Sequence, residues 1–441
     1  MALAGIMLFP ILLWAHARLT ASVPADGASL STAPNEIRLV FSERPELALA
    51  SVKLVNGRDT TSLTPLRMDT TAGHTVIAPV ARKLPSGAYT VLWLVATRDG
   101  HPIRGIFAFT VSAQGDSVLD ALPAPRVPLA AEAENSGTSV AIGGALGVVI
   151  VRWLAFVSLF LLIGAVMFRA FVVRTMGSDA DTFVHMASTN AATLGLVAAA
   201  GFIISSSLKI ARQSADMPDL RMSSMLLGST WGLSLVAGIL AALAAAIAFK
   251  AAHGNSESTR RNAWHAALVF ALIAGITPAF GGHAIGGENA LLAVPADIIH
   301  VLTGSAWLGT LASIIIVGIP AALKTPDSTR PGERVARMIN AFSPVALMCG
   351  GAVVATGLGA AVIRLGRFEP LWTTPYGVAL SIKLVFVALL FGAGAWNWRR
   401  MKPRLTGDDA IGPLRSTASL ELVLAGIVLG VTAILVALEL P

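Results

Sequence analysis

Eight apolar stretches of bilayer-spanning length constrain the fold of this chain more than any other feature. A membrane-spanning helix needs about 20 mostly apolar residues. With 55% hydrophobic and only 13% charged residues, the chain is too apolar to fold as a soluble protein with one polar surface. We therefore predict an all-α polytopic membrane bundle over residues 146–441, with about eight helices. The predicted spans are 147–172, 187–208, 226–249, 263–281, 291–319, 342–363, 375–397 and 418–439.

Positive charges are distributed unevenly over the loops between these spans. Short loops rich in Lys and Arg stay on the cytoplasmic side of a membrane. If the first span enters from outside, fourteen cations face the cytoplasm and five face the other side. The net charge of +7 then reflects membrane topology, and we expect no nucleic-acid partner. The fourteen are Arg169, Arg174, Lys250, Arg260, Arg261, Lys324, Arg330, Arg334, Arg337, Arg399, Arg400, Lys402, Arg404 and Arg415; the five are Lys209, Arg212, Arg221, Arg364 and Arg367.

The first 15 residues form a short apolar run typical of a signal-peptide core. The run lacks a basic start, so an uncleaved anchor remains the alternative. Cleavage after Ala15 would make His16 the new N-terminus, whereas cleavage after Ala17 fits the small-x-small rule better and would remove His16.

Residues 16–113 have the pattern of a small β domain. "EIRLVF" and "AYTVLWLV" alternate apolar and other residues with a period of two, as half-buried strands do. "NGRD" and "LPSGAY" supply turn residues between strands. We predict a β-sandwich or barrel. Residues 114–145, rich in Ala, Pro, Ser and Glu, are predicted to be a linker.

The β region resembles the CopC family of periplasmic copper-binding proteins. The similarity lies in "RLTASVPADGASLSTAPNEIRLVFSE" and "LPSGAYTVLWLVATRDGHPIRGIFAFTV". It implies an Ig-like sandwich or Greek-key barrel. It also implies a Cu(II) site formed by His16 as the mature N-terminus, Asp99 and His101.

The chemistry of these residues suits Cu(II). An N-terminal His offers its α-amine and imidazole to one ion, and a second imidazole completes a nitrogen-rich, tetragonal set that favours Cu(II). Asp99 could bind axially or orient a ligand. The single cysteine, Cys349, excludes multi-cysteine metal sites within the chain.

The helical region resembles the CopD family of inner-membrane copper proteins. The similarity lies in "GGHA", "DIIHVLTGSAWLGTL", "TPYGVALSIKL" and a last span carrying Glu421. The whole chain thus resembles a CopC–CopD fusion in the bacterial inner membrane, with its N-terminal domain in the periplasm. The resemblance implies copper transport, copper resistance and copper homeostasis.

Ionisable residues in the fifth span point to a copper path. Asp297 and His300 share one helix face with Gly304 and Trp307. His300 lies about 14 Å into the span at about 1.5 Å per residue, and Lys383 lies at a similar depth. We predict an Asp297–Lys383 charge pair that leaves the His300 imidazole to bind metal, and His283 as the residue that receives copper at the mouth.

Three methionines are weaker candidates for metal binding. Met217, Met222 and Met225 lie in "ADMPDLRMSSM", which we interpret as an outer loop. Thioethers are soft ligands suited to Cu(I), so Cu(I) is the form expected in the membrane domain. Interfacial anchoring is the alternative role for these side chains.

These observations predict a copper importer rather than an enzyme. The expected partners are copper ions, the lipid bilayer and periplasmic copper donors or acceptors. No phosphate-binding loop "GxxxxGK[ST]" is present in the sequence, which argues against ATP-driven pumping. A membrane haem protein would need paired intramembrane histidines, and the spans offer His265 and His300. A copper sequestration or delivery scaffold without transport is the third reading.

Overall fold

The computed structural model of the protein describes residues 18–97, 100, 102–112, 138–178, 181–282, 290–325, 330–365, 367–401 and 411–438. The predicted signal peptide at 1–15 lies outside these residues, as does most of the predicted linker. Within the described ranges, a β domain is followed by a helical bundle.

The β domain is a sandwich of two sheets. The strands are β1 Leu19–Val23, β2 Ala28–Leu30, β3 Glu36–Phe41, β4 Ser51–Asn56, β5 Asp59–Ser62, β6 Arg67–Met68, β7 Thr75–Pro79, β8 Gly87–Ala96 and β9 Pro102–Val111. One sheet has the strand order β1-β3-β7-β6 and the other β2-β9-β8-β4-β5, with β2 parallel to β9. The all-β prediction is therefore confirmed.

The alternating residues of β3 and β8 form the core between the sheets. Ile37, Leu39 and Phe41 are buried along β3, as the period of two predicts. The rings of Phe41 and Trp93 meet edge to face across the two sheets, 5.4 Å apart. Trp93 is paired with Gly105 of β9, and its indole occupies the space that a Cβ at Gly105 would need. The glycine in "IRGIF" thus gives Trp93 its place in the core.

The prediction of an all-α bundle after the β domain is confirmed. Among the described residues, eight helical segments are long and apolar enough to cross a membrane. α1 begins inside the predicted linker, eight residues before the predicted domain boundary. The helices are α1 Thr138–Met167, α2 Thr182–Asp216, α3 Met222–Leu227, α4 Thr230–Ala251, α5 Glu257–Ile276, α6 Ala290–Ser313, α7 Ile319–Lys324, α8 Pro331–Leu365, α9 Pro370–Thr373, α10 Pro375–Trp396 and α11 Ile411–Leu435.

α1 and α6 cross in backbone contact. A Cβ at Gly309 would overlap the carbonyl oxygen of Phe160, and a Cβ at Gly164 would overlap the backbone of Gly309. Small residues let membrane helices approach this closely, because lipid supplies no hydrophobic force between them. The crossing fixes α6, which carries the predicted Asp297 and His300, against the first helix of the bundle.

Candidate metal centre

The β8–β9 hairpin ends in the Asp-Gly-His turn. The two strands pair without a break from Gly87↔Val111 to Ala96↔Pro102. Gly100 has a φ of +82°, and its amide donates to the Thr97 carbonyl at 2.9 Å. The predicted ligands Asp99, His101 and His16 lie outside the described residues, so the structure supplies the position of the turn through Gly100.

Gly100 is in contact with the helical bundle. The side-chain amide of Gln213, near the end of α2, donates to the Gly100 carbonyl oxygen. A Cβ at Gly100 would lie 2.6 Å from the Trp231 indole, which projects from the first turn of α4. The hairpin end therefore lies against the end of the bundle where α2 ends and α4 begins.

A small apolar cluster fills the contact between the β-sandwich and the bundle. We call it the interface cluster: its buried members are Leu49, Ala96, Met217, Met225 and Trp231. Leu49 and Ala96 come from the β domain, and the other three come from the α2–α4 region.

The three predicted methionines lie in two different environments. Met217 and Met225 are each only 1% exposed within the interface cluster, whereas Met222 is 44% exposed. Met222 and Met225 belong to the short helix α3, so the outer loop predicted here is partly helical. Ser229 fixes the corner after α3, because its hydroxyl donates to the Met225 carbonyl at 2.6 Å and accepts from the Gly232 amide at 3.0 Å.

Polar contacts surround the interface cluster. Lys53 Nζ lies 2.6 Å from Asp219 Oδ1, and Arg104 donates to the Asp216 carbonyl at 3.2 Å. Because these contacts join β4 and β9 to the end of α2 and the residues that follow it, they orient the sandwich as well as attach it.

His300 is held by a threonine on a neighbouring helix. Its Nδ1 lies 3.0 Å from Thr356 Oγ1 of α8. The Thr356 hydroxyl hydrogen is already directed to the Ala352 carbonyl at 2.7 Å, so we assign the hydrogen of this contact to Nδ1. A neutral imidazole with Nδ1–H carries its lone pair on Nε2, and Nε2 of such an imidazole can bind a metal. His300 makes a further interaction besides this one.

His300 and Lys383 lie at similar distances along their helices from a contact between α6 and α10. Trp307 and Phe391 meet with ring centroids 4.8 Å apart. His300 precedes Trp307 by seven residues and Lys383 precedes Phe391 by eight, which corresponds to about 10 and 12 Å along the two helices. Asp297 and Lys383 are half-buried and each takes part in an interaction; their mutual pairing stays a prediction. His283 lies outside the described residues.

A buried carboxyl occupies the last helix. Glu421 of α11 is 6% exposed and accepts a hydrogen bond from the Asn397 side chain. The sequence indicated Glu421 only as a family feature, and nothing in it indicated Asn397, Gln213, Trp231 or Thr356. Each of these four residues acquires its importance from a contact with a distant part of the chain.

Comparison with known proteins identifies both halves of the chain. The model for the CopC domain matches residues 19–112. The model for the copper resistance protein D-like N-terminal domain matches 143–294, and that for copper resistance protein D matches 336–435. The chain belongs to the CopC–CopD fusion family. Copper is the metal of this family, and the chain is a multi-pass membrane protein.

One relative matches most of the chain, and others match a part of about the size of the β domain. Copper transport protein CutJ of Bacillus subtilis (strain 168) is 25% identical over 409 residues, covering 89% of this chain and 70% of CutJ. Protein YobA of Escherichia coli (strain K12) is 36% identical over 99 residues, 22% of this chain and 80% of YobA. The crystal structure of PcoC, a methionine-rich copper resistance protein from Escherichia coli, aligns with 27% identity over 22% of this chain and 100% of PcoC, with a TM-score of 0.21.

Proposed function

We propose that this CopC–CopD fusion captures Cu(II) outside the cytoplasm and carries copper across the bacterial inner membrane into the cytoplasm. The main support for this proposal is the contact of Gly100 with Gln213 and Trp231. A capture turn held against the end of the bundle can release its ion at the entrance to the helices. The match to a copper transport protein over 89% of the chain supports transport over simple storage.

The distribution of charge supports this orientation. The β-sandwich contacts the end of the bundle at which α2 ends, the end whose loops carry the smaller of the two sets of cations counted from the sequence, Arg212 and Arg221 among them. The larger set, as far as the structure describes it, belongs to the opposite end, where α1, α4 and α7 end and α5, α8 and α11 begin. The positive-inside rule assigns the crowded end to the cytoplasm and the sandwich to the periplasm.

Cu(II) capture in this proposal depends on the site formed by His16, Asp99 and His101. The amine–imidazole chelate requires His16 to be the first residue of the mature chain. N-terminal sequencing of the purified protein tests this requirement: a chain that begins at Arg18 lacks the chelate and should bind Cu(II) far more weakly.

His300 is the residue to which we assign the passage of copper within the bundle. The contact of its Nδ1 with Thr356 holds the imidazole in place inside the bundle. His283, in the glycine-rich segment before α6, is proposed to receive the ion first. In the proposed Asp297–Lys383 pair, the carboxylate and the ammonium group neutralise each other near His300. Copper is cargo in this scheme, so we expect no catalysed reaction.

Copper uptake into proteoliposomes tests the proposal. The wild-type chain should accumulate copper above protein-free liposomes, and His300→Ala should lower the rate by about tenfold or more, because removing a metal ligand's contribution costs at least that factor. His265→Ala is the matched control, since His265 is exposed on α5, and it should transport like wild type.

Two results would contradict the proposal in different ways. Equal uptake by wild type and His300→Ala would remove His300 from the path. No uptake by a wild-type protein that still binds copper would favour sequestration or delivery without transport.

A further inference from the structure

Two methionines and a tryptophan belong to one buried cluster at the contact between the β-sandwich and the bundle. Met217 follows the last residue of α2, Met225 lies in α3 and Trp231 lies in the first turn of α4. All three belong to the interface cluster, and none is more than 8% exposed. Ser229 bonds to the Met225 carbonyl and to the Gly232 amide, which holds Met225 and Trp231 in a fixed relation.

The sulfur of Met217 has a polar neighbour that links it to the Asp-Gly-His turn. Gln213 Nε2 lies 3.7 Å from Met217 Sδ, and the same nitrogen donates to the Gly100 carbonyl. One amide group therefore contacts both the thioether and the backbone of the turn.

The chemistry of this cluster selects a soft monovalent cation. Thioethers are neutral, polarisable ligands that favour Cu(I) over harder ions, and an indole face attracts a desolvated cation. A divalent ion would bring a second charge into a buried set of neutral ligands, which is strongly unfavourable. Of the acidic groups at the interface, Asp219 is paired with Lys53, and the Glu46 carboxylate accepts from the Thr230 hydroxyl at 3.5 Å.

We propose that Met217 and Met225, with the indole of Trp231, form a binding site for a soft monovalent metal ion, Cu(I) or Ag(I), between the two domains. The inference rests on the proposed function and deepens it by naming a site at the domain contact for copper that arrives already as Cu(I); no reduction of the captured Cu(II) at this site is part of the proposal. Met222 is excluded from the site by its 44% exposure, although it lies three residues from Met225 in the same helix.

Equilibrium binding of Ag(I) to the purified full-length protein tests the site. Ag(I) has the same ligand preference as Cu(I) and undergoes no redox change under these conditions, so neither reductant nor transport is involved. The double variant Met217→Leu/Met225→Leu should lose one high-affinity Ag(I) equivalent, with an affinity loss of more than about tenfold. Met222→Leu is the matched control and should bind as wild type does. Leu replaces Met with little change of volume, so the cluster should keep its packing.

X-ray absorption by the wild-type protein loaded with one equivalent of Cu(I) gives a second measurement that needs no variant. Two sulfur neighbours around copper are expected, and a shell of nitrogen and oxygen alone would overturn the proposal. Unchanged Ag(I) affinity in the double leucine variant would overturn it as well and would leave the two methionines as packing residues. If the wild-type protein binds Ag(I) at this site but takes up no copper, the transport proposal is contradicted and the metal-site proposal is not.

Discussion

At the scale of single residues, Gly100 is constrained in two ways, by the backbone conformation of the hairpin end and by its contact with the bundle. Its φ of +82° is a conformation that L side chains rarely adopt, and a Cβ would lie 2.6 Å from the Trp231 ring. Gly57 has a comparable φ of +58° with nothing within 4 Å of its Cβ position. Both glycines thus adopt a positive φ, but only Gly100 also lacks the space for a Cβ.

We expect Gly100→Ala to destabilise the full-length protein more than Gly57→Ala. Both substitutions carry a backbone cost of about 1 kcal/mol, and Gly100→Ala must in addition displace Trp231 or the hairpin end. Thermal unfolding of the two purified variants measures the difference. Equal shifts of the melting temperature would mean that Gly100 and Trp231 do not contact each other in the protein.

At the scale of elements, the crossing of α1 and α6 controls where the His300 helix lies. Gly309→Ala should destabilise the bundle by more than about 2 kcal/mol, since the new methyl group meets the Phe160 carbonyl, a backbone atom that cannot rotate away. Gly351→Ala in α8 is the control, because its Cβ would meet nothing within 4 Å, and alanine has the higher helix propensity. Melting of the detergent-solubilised variants tests this. A stable Gly309→Ala protein would contradict the close crossing.

The helices were largely predictable from the sequence, whereas their ends were not. Hydropathy identifies the eight spans because lipid demands about 20 apolar residues in a row. α2, predicted over 187–208, runs from Thr182 to Asp216, because the Asp181 side chain caps its start and polar residues extend its end beyond the apolar part. That polar extension carries Gln213, so the contact to the β-sandwich lies on the part of the helix that hydropathy misses.

At the scale of the whole molecule, the sequence predicted two domains and did not predict how they meet. The alternation in β3 and β8 and the family motifs depend on neighbours in the chain, and both were recognisable. The contacts Gln213–Gly100 and Thr356–His300 join residues 113 and 56 positions apart. A single sequence carries no local pattern for such pairs, because the side chains involved have ordinary roles until the tertiary structure brings them together.

The last prediction concerns the Lys53–Asp219 ion pair, which joins the β-sandwich to the bundle. The Lys53 and Asp219 side chains are 25% and 46% exposed, so their pairing should contribute only about 0.2–1 kcal/mol and weaken in high salt. Lys53→Asp opposes two carboxylates and Asp219→Lys opposes two cations, whereas the double exchange restores one pair of opposite sign. Each single variant should therefore loosen the sandwich, and the double variant should restore the attachment.

Thiol crosslinking measures this attachment directly. Glu46→Cys and Thr230→Cys supply reporters at a second contact of the same interface, where Thr230 Oγ1 and Glu46 Oε2 are 3.5 Å apart, in a Cys349→Ser background. A short bifunctional thiol reagent should crosslink the parent and the double exchange equally, and the single variants less, with the differences disappearing at high salt. If the single variants crosslink like the parent at low salt, the ion pair does not hold the sandwich. The apolar contacts around Trp231 would then account for the attachment by themselves.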